Sequence, residues 1–197
     1  MKSELALPYR FTEPIHTERL TLRLMVESDV DDVFAYQSRE DVVRYELFEP
    51  RSRDEVAEKI AKYAIATNLA VDGDYLQLAV ELSDAEGVSR VIGDSYFKLS
   101  SIENSRGEIG WTLHPDFMGR GYATEAARAI LAVAFEQIGL HRVIAELDPR
   151  NDSSLALCLR LGMREEAHFI KDLWFKGDWG DTGMYAILRE EWLERRV

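Results

Sequence analysis

The chain has 197 residues, which is long enough to bury a sizeable core, and we expect residues 1–197 to form a single domain. Hydrophobic residues make up 46% and charged residues 30% of the chain, which excludes a disordered or fibrous protein. The formal net charge of -12 repels nucleic acid and anionic membranes, so we expect neither as a partner. An acidic surface favours cationic partners such as amines, although many soluble proteins are acidic only because the charge keeps them in solution.

The sequence shows neither the pattern of a signal peptide nor that of a membrane-spanning helix. Residues 1–14 lack the continuous apolar core of a signal peptide, and the longest strongly apolar run, 129–135, is too short to span a bilayer. The single cysteine, Cys158, has no partner for an internal disulfide, in agreement with a reducing compartment. We therefore expect a cytoplasmic protein.

The first half of the chain mixes strand and helix patterns. Residues 20–25 alternate apolar and polar side chains and predict a strand. A helix-start signal at Ser28 predicts one helix, and apolar residues on one face predict a second from about 52 to 70. Residues 75–82 and 90–99 predict two strands, which the polar turn between them joins as a hairpin.

The middle of the chain continues with strand 108–113 and a glycine-containing turn. Apolar residues at helical spacing then predict a helix from about 123 to 138, which Gly139 ends. A strand over 142–147 follows.

The last third predicts one helix and two strands. The helix places Leu155, Cys158 and Leu159 on or near its buried face, and the strands are predicted over 166–175 and 184–188, around a polar turn. The chain has no internal repeat and no linker, so the pattern favours one mixed α+β domain.

Gly119 and Gly121, with Arg120 between them, lie where a strand passes into a helix. Unpaired backbone N–H groups at a helix start, together with the positive end of the helix dipole, form an anion site. The dinucleotide-binding fingerprint needs a third glycine, or an alanine, at position 124, but that residue is Thr124. The Gly-Lys-Ser/Thr sequence of the P-loop is also absent. NAD and nucleoside triphosphates are therefore disfavoured, and a plain strand-to-helix turn remains the alternative.

Two stretches, EIGWTLHPDFMGRGYATEAA and DPRNDSSLALCLRLGM, resemble the GNAT acetyltransferase superfamily. The similarity is to the branch that includes the bacterial ribosomal-protein N-terminal acetyltransferases, and it extends to HTERLTLRLM, VIGDSYF and GDWGDTGMYAIL. The resemblance implies the GNAT fold, with a central, mostly antiparallel twisted sheet of about six to seven strands, splayed between the fourth and fifth strands. About four helices are expected to flank that sheet.

The resemblance also implies acetyl-CoA as co-substrate. Family members carry Gln/Arg-x-x-Gly-x-Gly/Ala at the strand-to-helix turn and bind the coenzyme A pyrophosphate largely through backbone N–H groups. Met118 departs from the first position of that pattern, which we expect to alter affinity rather than the ligand. The residues implied to bind the coenzyme are Trp111, Thr112, Leu113, Met118, Gly119, Arg120, Gly121, Tyr122, Ala123, Thr124 and Asn151.

Acetyl transfer to an amine needs a proton acceptor, donors for the developing oxyanion and a proton for the departing thiolate. Glu108 matches the position where several family members place a catalytic carboxylate, so the resemblance implies a base there. A solvated residue at a strand start, with water as the proton acceptor, is the alternative. The oxyanion donor implied by the family is a backbone N–H between Trp111 and Leu113.

Asn151, Ser154 and Cys158 follow one another at i, i+3 and i+7 and so share a helical face. The familiar tyrosine acid of the superfamily would occupy position 158, which is a cysteine here and is expected to be a small buried hydrophobe. The resemblance instead implies that Asn151 contacts the pantetheine and that Ser154 protonates the thiolate. For Asn151 the alternative is a helix N-cap, which can coexist with the coenzyme contact; for Ser154 it is a local hydrogen bond to the backbone.

The resemblance implies an enzyme that moves an acetyl group to a primary amine, either a protein N-terminus or a small molecule. The departures at Met118 and Cys158 leave a second hypothesis, a non-catalytic acyl-CoA-binding regulatory or interaction module. The four histidines lack metal-ligand spacing, so no metal is expected. Monomer and homodimer both remain open.

The acceptor site of the family is built from the first two helices and the loop between the last two strands, here about 28–70 and 176–183. These segments contain Glu46, Glu49, Asp178 and Asp181, which would suit a cationic amine or would be solvated surface charges. The aromatic residues Trp174, Phe175, Trp179 and Tyr185 are expected to fill the core and its rim rather than to line a substrate pocket.

Overall fold

The computed structural model describes residues 4–83 and 87–195. The strands are β1 (Tyr9–Arg10), β2 (Ile15–His16), β3 (Leu20–Leu24), β4 (Asn68–Leu69), β5 (Tyr75–Ser83), β6 (Ser89–Ser101), β7 (Arg106–Leu113), β8 (Arg142–Leu147), β9 (Arg164–Phe175) and β10 (Asp178–Leu188). The helices are α1 (Val30–Gln37), α2 (Glu40–Val43), α3 (Arg53–Tyr63), α4 (Tyr122–Ala132), α5 (Asp152–Leu161) and α6 (Arg189–Glu194). A π-helical segment, Val133–Ile138, continues α4.

Eight strands form one mixed sheet in the order β2-β3-β5-β6-β7-β8-β10-β9, and β1 pairs with β4 apart from it. All neighbours in the sheet are antiparallel except β7 and β8. The predicted α+β class and mostly antiparallel sheet are confirmed. The sheet has eight strands rather than six or seven because the two-residue β2 extends one edge, and α2 and α6 add to the four expected helices.

The gap between β7 and β8 positions the site. These strands pair in parallel only from Arg106 with Arg142 to Glu108 with Ile144, and then separate. Beyond that point β7 stays paired with β6, and β8 with β10. The sheet is therefore splayed between the strands predicted as fourth and fifth, and backbone groups of both strands face the gap.

Helices cover both faces of the sheet. Along β5, Leu78 and Val80 belong to the core cluster beneath α4 and α5, whereas Ala79 belongs to a second cluster with α1 and α3. Successive side chains of a strand point to opposite faces, so this alternation separates the two cores. The larger core holds α4 and α5 against the sheet on the side where the glycine turn lies.

Two helix predictions need correction. The helix predicted to reach residue 70 ends at Tyr63, because Leu69 is fully buried and pairs with Tyr9 as part of β4. On α5, Cys158 is buried as predicted, but Leu159 is 55% exposed, and Leu157 is buried instead. At about 100° per residue, positions 157 and 158 face the core while 159 turns to solvent.

The hairpin of β9 and β10 is longer than predicted. Only Lys176 and Gly177 turn the chain, both with positive φ, and β10 already begins at Asp178. Two consecutive positive φ values match the right-handed twist of a hairpin, so the remaining polar residues of 176–183 extend the strand. Within this hairpin Trp174 and Trp179 are 61% and 52% exposed, so the prediction that they fill the core is wrong.

Candidate active site

The gap between β7 and β8 meets the start of α5 at Ser154. The indole Nε1–H of Trp111 donates to Oγ of Ser154 at 3.2 Å. The backbone N–H of Ser154 donates to Oδ1 of Asn151 at 3.1 Å, which makes Asn151 the N-cap of α5. Asn151 is thus the helix N-cap, a role that can coexist with the predicted coenzyme contact, and its cap fixes Ser154 beside the β7 strand.

The glycine turn leads directly into α4. Gly119 and Gly121 have φ of +73° and +85°, a region in which side-chain-bearing residues are strained, and Gly121 is the N-cap. The first intrahelical hydrogen bond runs from Glu125 N–H to the Gly121 carbonyl, at 3.0 Å. The N–H groups of the preceding residues therefore lie at the positive end of the helix dipole, as an anion site requires.

A polar cluster that sequence reasoning missed holds this turn in place. Arg19 donates from Nε to Glu125 at 2.7 Å and from Nη1 to the carbonyl of Arg120 at 3.0 Å. The hydroxyl of Thr17 donates to the same Glu125 carboxylate at 2.6 Å. Burial opposes ionisation of Glu125, but the hydrogen bonds from Thr17 and Arg19 outweigh it and hold its pKa below the usual range.

A large cleft, which we call the coenzyme cleft, has a volume of about 1600 Å³ and opens along α4 and α5. Most of the residues predicted to bind coenzyme line it. They are Trp111, Thr112, Leu113, Met118, Gly119, Gly121, Tyr122, Ala123, Thr124 and Asn151. Arg120 does not line the cleft; its guanidinium lies 5.8 Å from the Phe117 ring. Arg128, Arg160 and Arg195 line it without having been predicted, and they add positive charge suited to phosphates.

A second cavity, which we call the acceptor cavity, has a volume of about 480 Å³ and lies on the other side of Trp111 and Ser154. Its walls come from strands β5 to β8, the β9–β10 hairpin, the start of α5 and the segment between α2 and α3, with single residues of α1 and α3. Five residues line both this cavity and the coenzyme cleft. They are Glu46, Trp111, Thr112, Asn151 and Ser154.

The acceptor cavity is strongly acidic. Its lining contains seven carboxylates, and Arg51 is the one lysine or arginine among the described lining residues. The carboxylates are Glu46, Asp94, Glu108, Glu146, Asp148, Asp172 and Asp181. Aromatic side chains such as Tyr96 and Phe175 complete the walls. Three of these carboxylates have partners outside the lining: Glu108 contacts Lys98, Asp148 contacts Arg150, and Asp181 contacts His168. The remaining excess of carboxylates attracts a cation, and the aromatic rings can stack its apolar part.

Asp94 lies at the buried end of this cavity. It accepts hydrogen bonds from the Tyr36 hydroxyl at 2.7 Å, from Gln37 Nε2 at 3.2 Å and from Gln77 Nε2 at 2.6 Å. Burial outweighs these donors and raises the pKa of Asp94 to about 6. The carboxyl is therefore anionic at neutral pH and fixed in direction.

The predicted catalytic carboxylate, Glu108, lines the acceptor cavity and not the coenzyme cleft. Its Oε2 lies 2.7 Å from Nζ of Lys98, with both side chains partly buried. Cys158 is fully buried, and burial raises the pKa of its thiol to about 12, which agrees with the predicted structural role.

The predicted acceptor carboxylates divide into two groups. Glu46 and Asp181 line the acceptor cavity, as expected. Glu49 and Asp178 do not; the Glu49 carboxylate is 70% exposed and lies 3.9 Å from Nζ of Lys176. Of the aromatic residues, Tyr185 is buried as predicted, and Phe175 lines the cavity.

A family model described as an acetyltransferase (GNAT) domain matches residues 19–164. The chain belongs to the GNAT acetyltransferase family. This match covers the glycine turn, both strands of the gap and α5, and it confirms the resemblance found in the sequence.

Related proteins agree with the family assignment. This GNAT acetyltransferase is 32% identical over 178 residues to YnaD of Bacillus subtilis, described as an uncharacterized N-acetyltransferase, with 90% of this chain and 98% of YnaD covered. A solved GNAT acetyltransferase from Bacillus anthracis matches with a TM-score of 0.79 at 31% identity, over 91% of this chain and 100% of its own. The spermidine N-acetyltransferase of Vibrio cholerae, solved with CoA and spermine, matches with a TM-score of 0.73 at 21% sequence identity. The match covers 90% of this chain and 99% of the Vibrio cholerae chain.

This GNAT protein is an acetyl-CoA-dependent N-acetyltransferase, and its acceptor is an amine. The matches favour the enzyme over the non-catalytic alternative. Among residues 4–83 and 87–195, no three His, Cys, Asp or Glu side chains are grouped so that they could hold a metal ion. No helix in those same ranges is long and apolar enough to cross a membrane.

Proposed function

We propose that this enzyme acetylates cationic primary amines, which enter through the acceptor cavity and react where that cavity meets the coenzyme cleft. The observation that carries the proposal is the acidic lining of the acceptor cavity, seven carboxylates with Arg51, next to a cleft lined by arginines. The lining of the coenzyme cleft holds four arginines and four carboxylates, whereas that of the acceptor cavity has a large excess of carboxylates. Phosphates suit one and an ammonium group suits the other.

For the donor, the proposed roles follow the geometry of the cleft. Backbone N–H groups at the start of α4, from Gly121 to Thr124, bind the pyrophosphate, and the Asn151 side chain contacts the pantetheine. The β7 backbone between Trp111 and Leu113 supplies the oxyanion donor, because β7 has no β8 partner beyond Glu108. Met118 is 47% exposed at the turn, so the missing polar side chain affects coenzyme affinity.

For the chemistry, the amine nitrogen attacks the thioester carbonyl after it has lost a proton. Ser154 is proposed to give a proton to the departing thiolate, because its hydroxyl lies where both cavities meet and its orientation is fixed by Trp111. The base role of Glu108 stays a prediction; Nζ of Lys98 lies 2.7 Å from its Oε2.

The choice of amine follows from cavity size and charge. A cavity of about 480 Å³ accepts a small amine or the end of a chain more readily than a folded partner. Several carboxylates along one cavity suit a substrate with more than one positive charge. A spermidine N-acetyltransferase is among the proteins of similar fold, so polyamines are the first probes to use.

We further propose that residues 1–197 act as one catalytic domain in the cytoplasm. Both cavities are lined by elements from both halves of the chain: Glu46 and Ser154, for example, line each of them. The unpaired Cys158 is a buried thiol, in keeping with a reducing compartment.

Release of free thiol from acetyl-CoA tests the proposal across a panel of spermidine, spermine, diamines, aminoglycosides and short peptides with free N-termini. We expect turnover with the cationic small amines and a product that carries one added acetyl group by mass spectrometry. Thermal stabilisation by acetyl-CoA without turnover on any amine would instead support the non-catalytic module. Turnover confined to peptides would contradict the proposed substrate class.

A further inference from the structure

Glu46 lies in the segment between α2 and α3 that forms one wall of the acceptor cavity. Its backbone N–H donates to the Val43 carbonyl at 2.9 Å. Nζ of Lys176, at the turn of the β9–β10 hairpin, donates to the same carbonyl at 2.7 Å and so attaches this segment to the opposite wall. Further along, the Arg51 guanidinium lies 3.6 Å from the centre of the Phe48 ring. The hydrogen bond from Lys176 thus ties the chain beside Glu46 to the hairpin.

Glu46 lines both cavities and so lies where they adjoin. Among the five residues that line both, Glu46 is the titratable one; the others are Trp111, Thr112, Asn151 and Ser154. The amine and the thioester must meet at this junction for the reaction to occur. Glu108 lines the acceptor cavity alone, and Lys98 holds its carboxylate at 2.7 Å.

The charged groups that face Glu46 come from three elements. They are Asp94 of β6, Arg51 before α3 and Lys176 of the hairpin turn. In the part of the chain that the structure describes, no side chain forms a hydrogen bond or an ion pair with the Glu46 carboxylate. Burial, aided by Asp94 and opposed by Arg51 and Lys176, raises the pKa of Glu46 to about 7. A base with a pKa near the working pH is the most effective one.

We propose that Glu46 is the catalytic base, whose carboxylate takes the proton from the ammonium group of the acceptor at the junction of the two cavities. This inference rests on the proposed function, since it requires a cationic amine in the acceptor cavity. It assigns to Glu46 the base role that the resemblance implied for Glu108. Glu108 then contributes to binding the cation.

The proton balance is complete with groups already described. One ammonium proton moves to Glu46, and the neutral amine forms a C–N bond with the thioester carbonyl carbon. As the C–S bond breaks, Ser154 gives its hydroxyl proton to the thiolate and takes a second proton from the amine nitrogen. Glu46 then releases its proton to solvent, so the products are the amide, free coenzyme A and one proton.

The test compares Glu46→Gln with the matched control Glu49→Gln, three residues along in the same segment and outside both cavities. With the panel amine of highest wild-type kcat/KM, we expect Glu46→Gln to lower kcat about 100-fold at pH 7. In the wild type, kcat/KM should rise up to about pH 7 and level off above it, whereas in Glu46→Gln this levelling-off should disappear and the rate should keep rising with the neutral fraction of the amine. Glu49→Gln should keep the wild-type profile.

A second variant, Glu46→Asp, keeps the test decisive if Glu46→Gln does not fold. Glu46→Asp keeps a carboxylate, so we expect a kcat between those of the wild type and Glu46→Gln, and a pH profile that still levels off near neutral pH. If the Glu46→Asp profile showed no such ionisation, the proposal would be overturned even if Glu46→Gln failed to fold. A wild-type profile in Glu46→Gln, with normal thermal stabilisation by acetyl-CoA, would overturn the base role alone. Absence of wild-type turnover on every panel amine would overturn the proposed function and, with it, this inference.

Discussion

Trp111 and Ser154 are joined across the splayed sheet by a hydrogen bond of 3.2 Å from the indole Nε1–H to Oγ. A serine hydroxyl has one proton to donate and two lone pairs to accept with. Because Oγ accepts from Trp111, its own proton remains available for another group. The bond therefore presents a directed proton at the place where the two cavities meet.

Removing this hydroxyl should slow the chemical step. We expect Ser154→Ala to lower kcat about 100-fold, the range typical of a lost proton donor, while the Kd for acetyl-CoA changes little. Trp111→Phe keeps the hydroxyl but frees its rotation, and we expect a smaller loss. Thiol release measures the rates, and titration calorimetry measures the Kd. A wild-type kcat in Ser154→Ala would remove the serine from the mechanism.

The positive φ of Gly119 should be needed for coenzyme binding. An added Cβ at Gly119 meets nothing within 4 Å, so Gly119→Ala tests backbone conformation alone. Holding an alanine at this positive φ costs about 1–2 kcal/mol of backbone strain. We therefore expect the turn to relax to another conformation and the Kd for acetyl-CoA to rise about tenfold. Gly73→Ala is the control, because Gly73 has φ of +93° and open space but lies outside both cavities. Equal Kd values for the two variants would contradict the role of the turn.

The Glu125 carboxylate should stabilise the fold in a pH-dependent way. Its pKa is lowered in the folded state, so its contribution is present above the unfolded pKa of about 4.3 and is lost as pH falls through the folded pKa. We expect Glu125→Gln to lose about 1.5 kcal/mol of unfolding free energy at pH 7 and less near pH 4. Urea unfolding measures this, with the exposed Glu27→Gln as control. A loss that grows at low pH would contradict the assignment.

The acidic lining of the acceptor cavity should set the KM for cationic amines. We expect Asp172→Asn to raise the KM for spermidine about fivefold, equivalent to about 1 kcal/mol of lost attraction near a protein surface. Asp178→Asn lies on the same hairpin but outside the cavity and should leave the KM unchanged. The difference should shrink in high salt. An equal effect of the two substitutions would show that only net charge matters.

Local patterns were enough to predict most of the sheet and the coenzyme side of the site. Apolar, strand-like runs bounded by polar turns indicated the long strands β5 to β8. The residues from Gly119 to Thr124 are adjacent in sequence, so the turn and the cleft wall they form could be predicted together. The i, i+3 spacing likewise placed Asn151 beside Ser154.

The parts of the fold and the site that could not be predicted depend on contacts between segments that are distant in the sequence. Arg19 and Glu125 are 106 residues apart, and nothing in either local pattern indicates that they meet. The short strands β1, β2 and β4 have two residues each, too few to show a period. The acceptor cavity combines residues from many segments between Gln37 and Thr182, so sequence reasoning found Glu46 and Asp181 but not Asp94 or Asp172.

The most direct test of a cationic acceptor compares two amines that differ in one charge. 1,4-Diaminobutane and 1-aminobutane present the same nucleophile, and only the diamine carries a second ammonium group toward the acidic lining. We predict a kcat/KM at least about tenfold higher for the diamine at low ionic strength, from about 1.4 kcal/mol of added attraction. Equal kcat/KM values for the two amines would contradict the account.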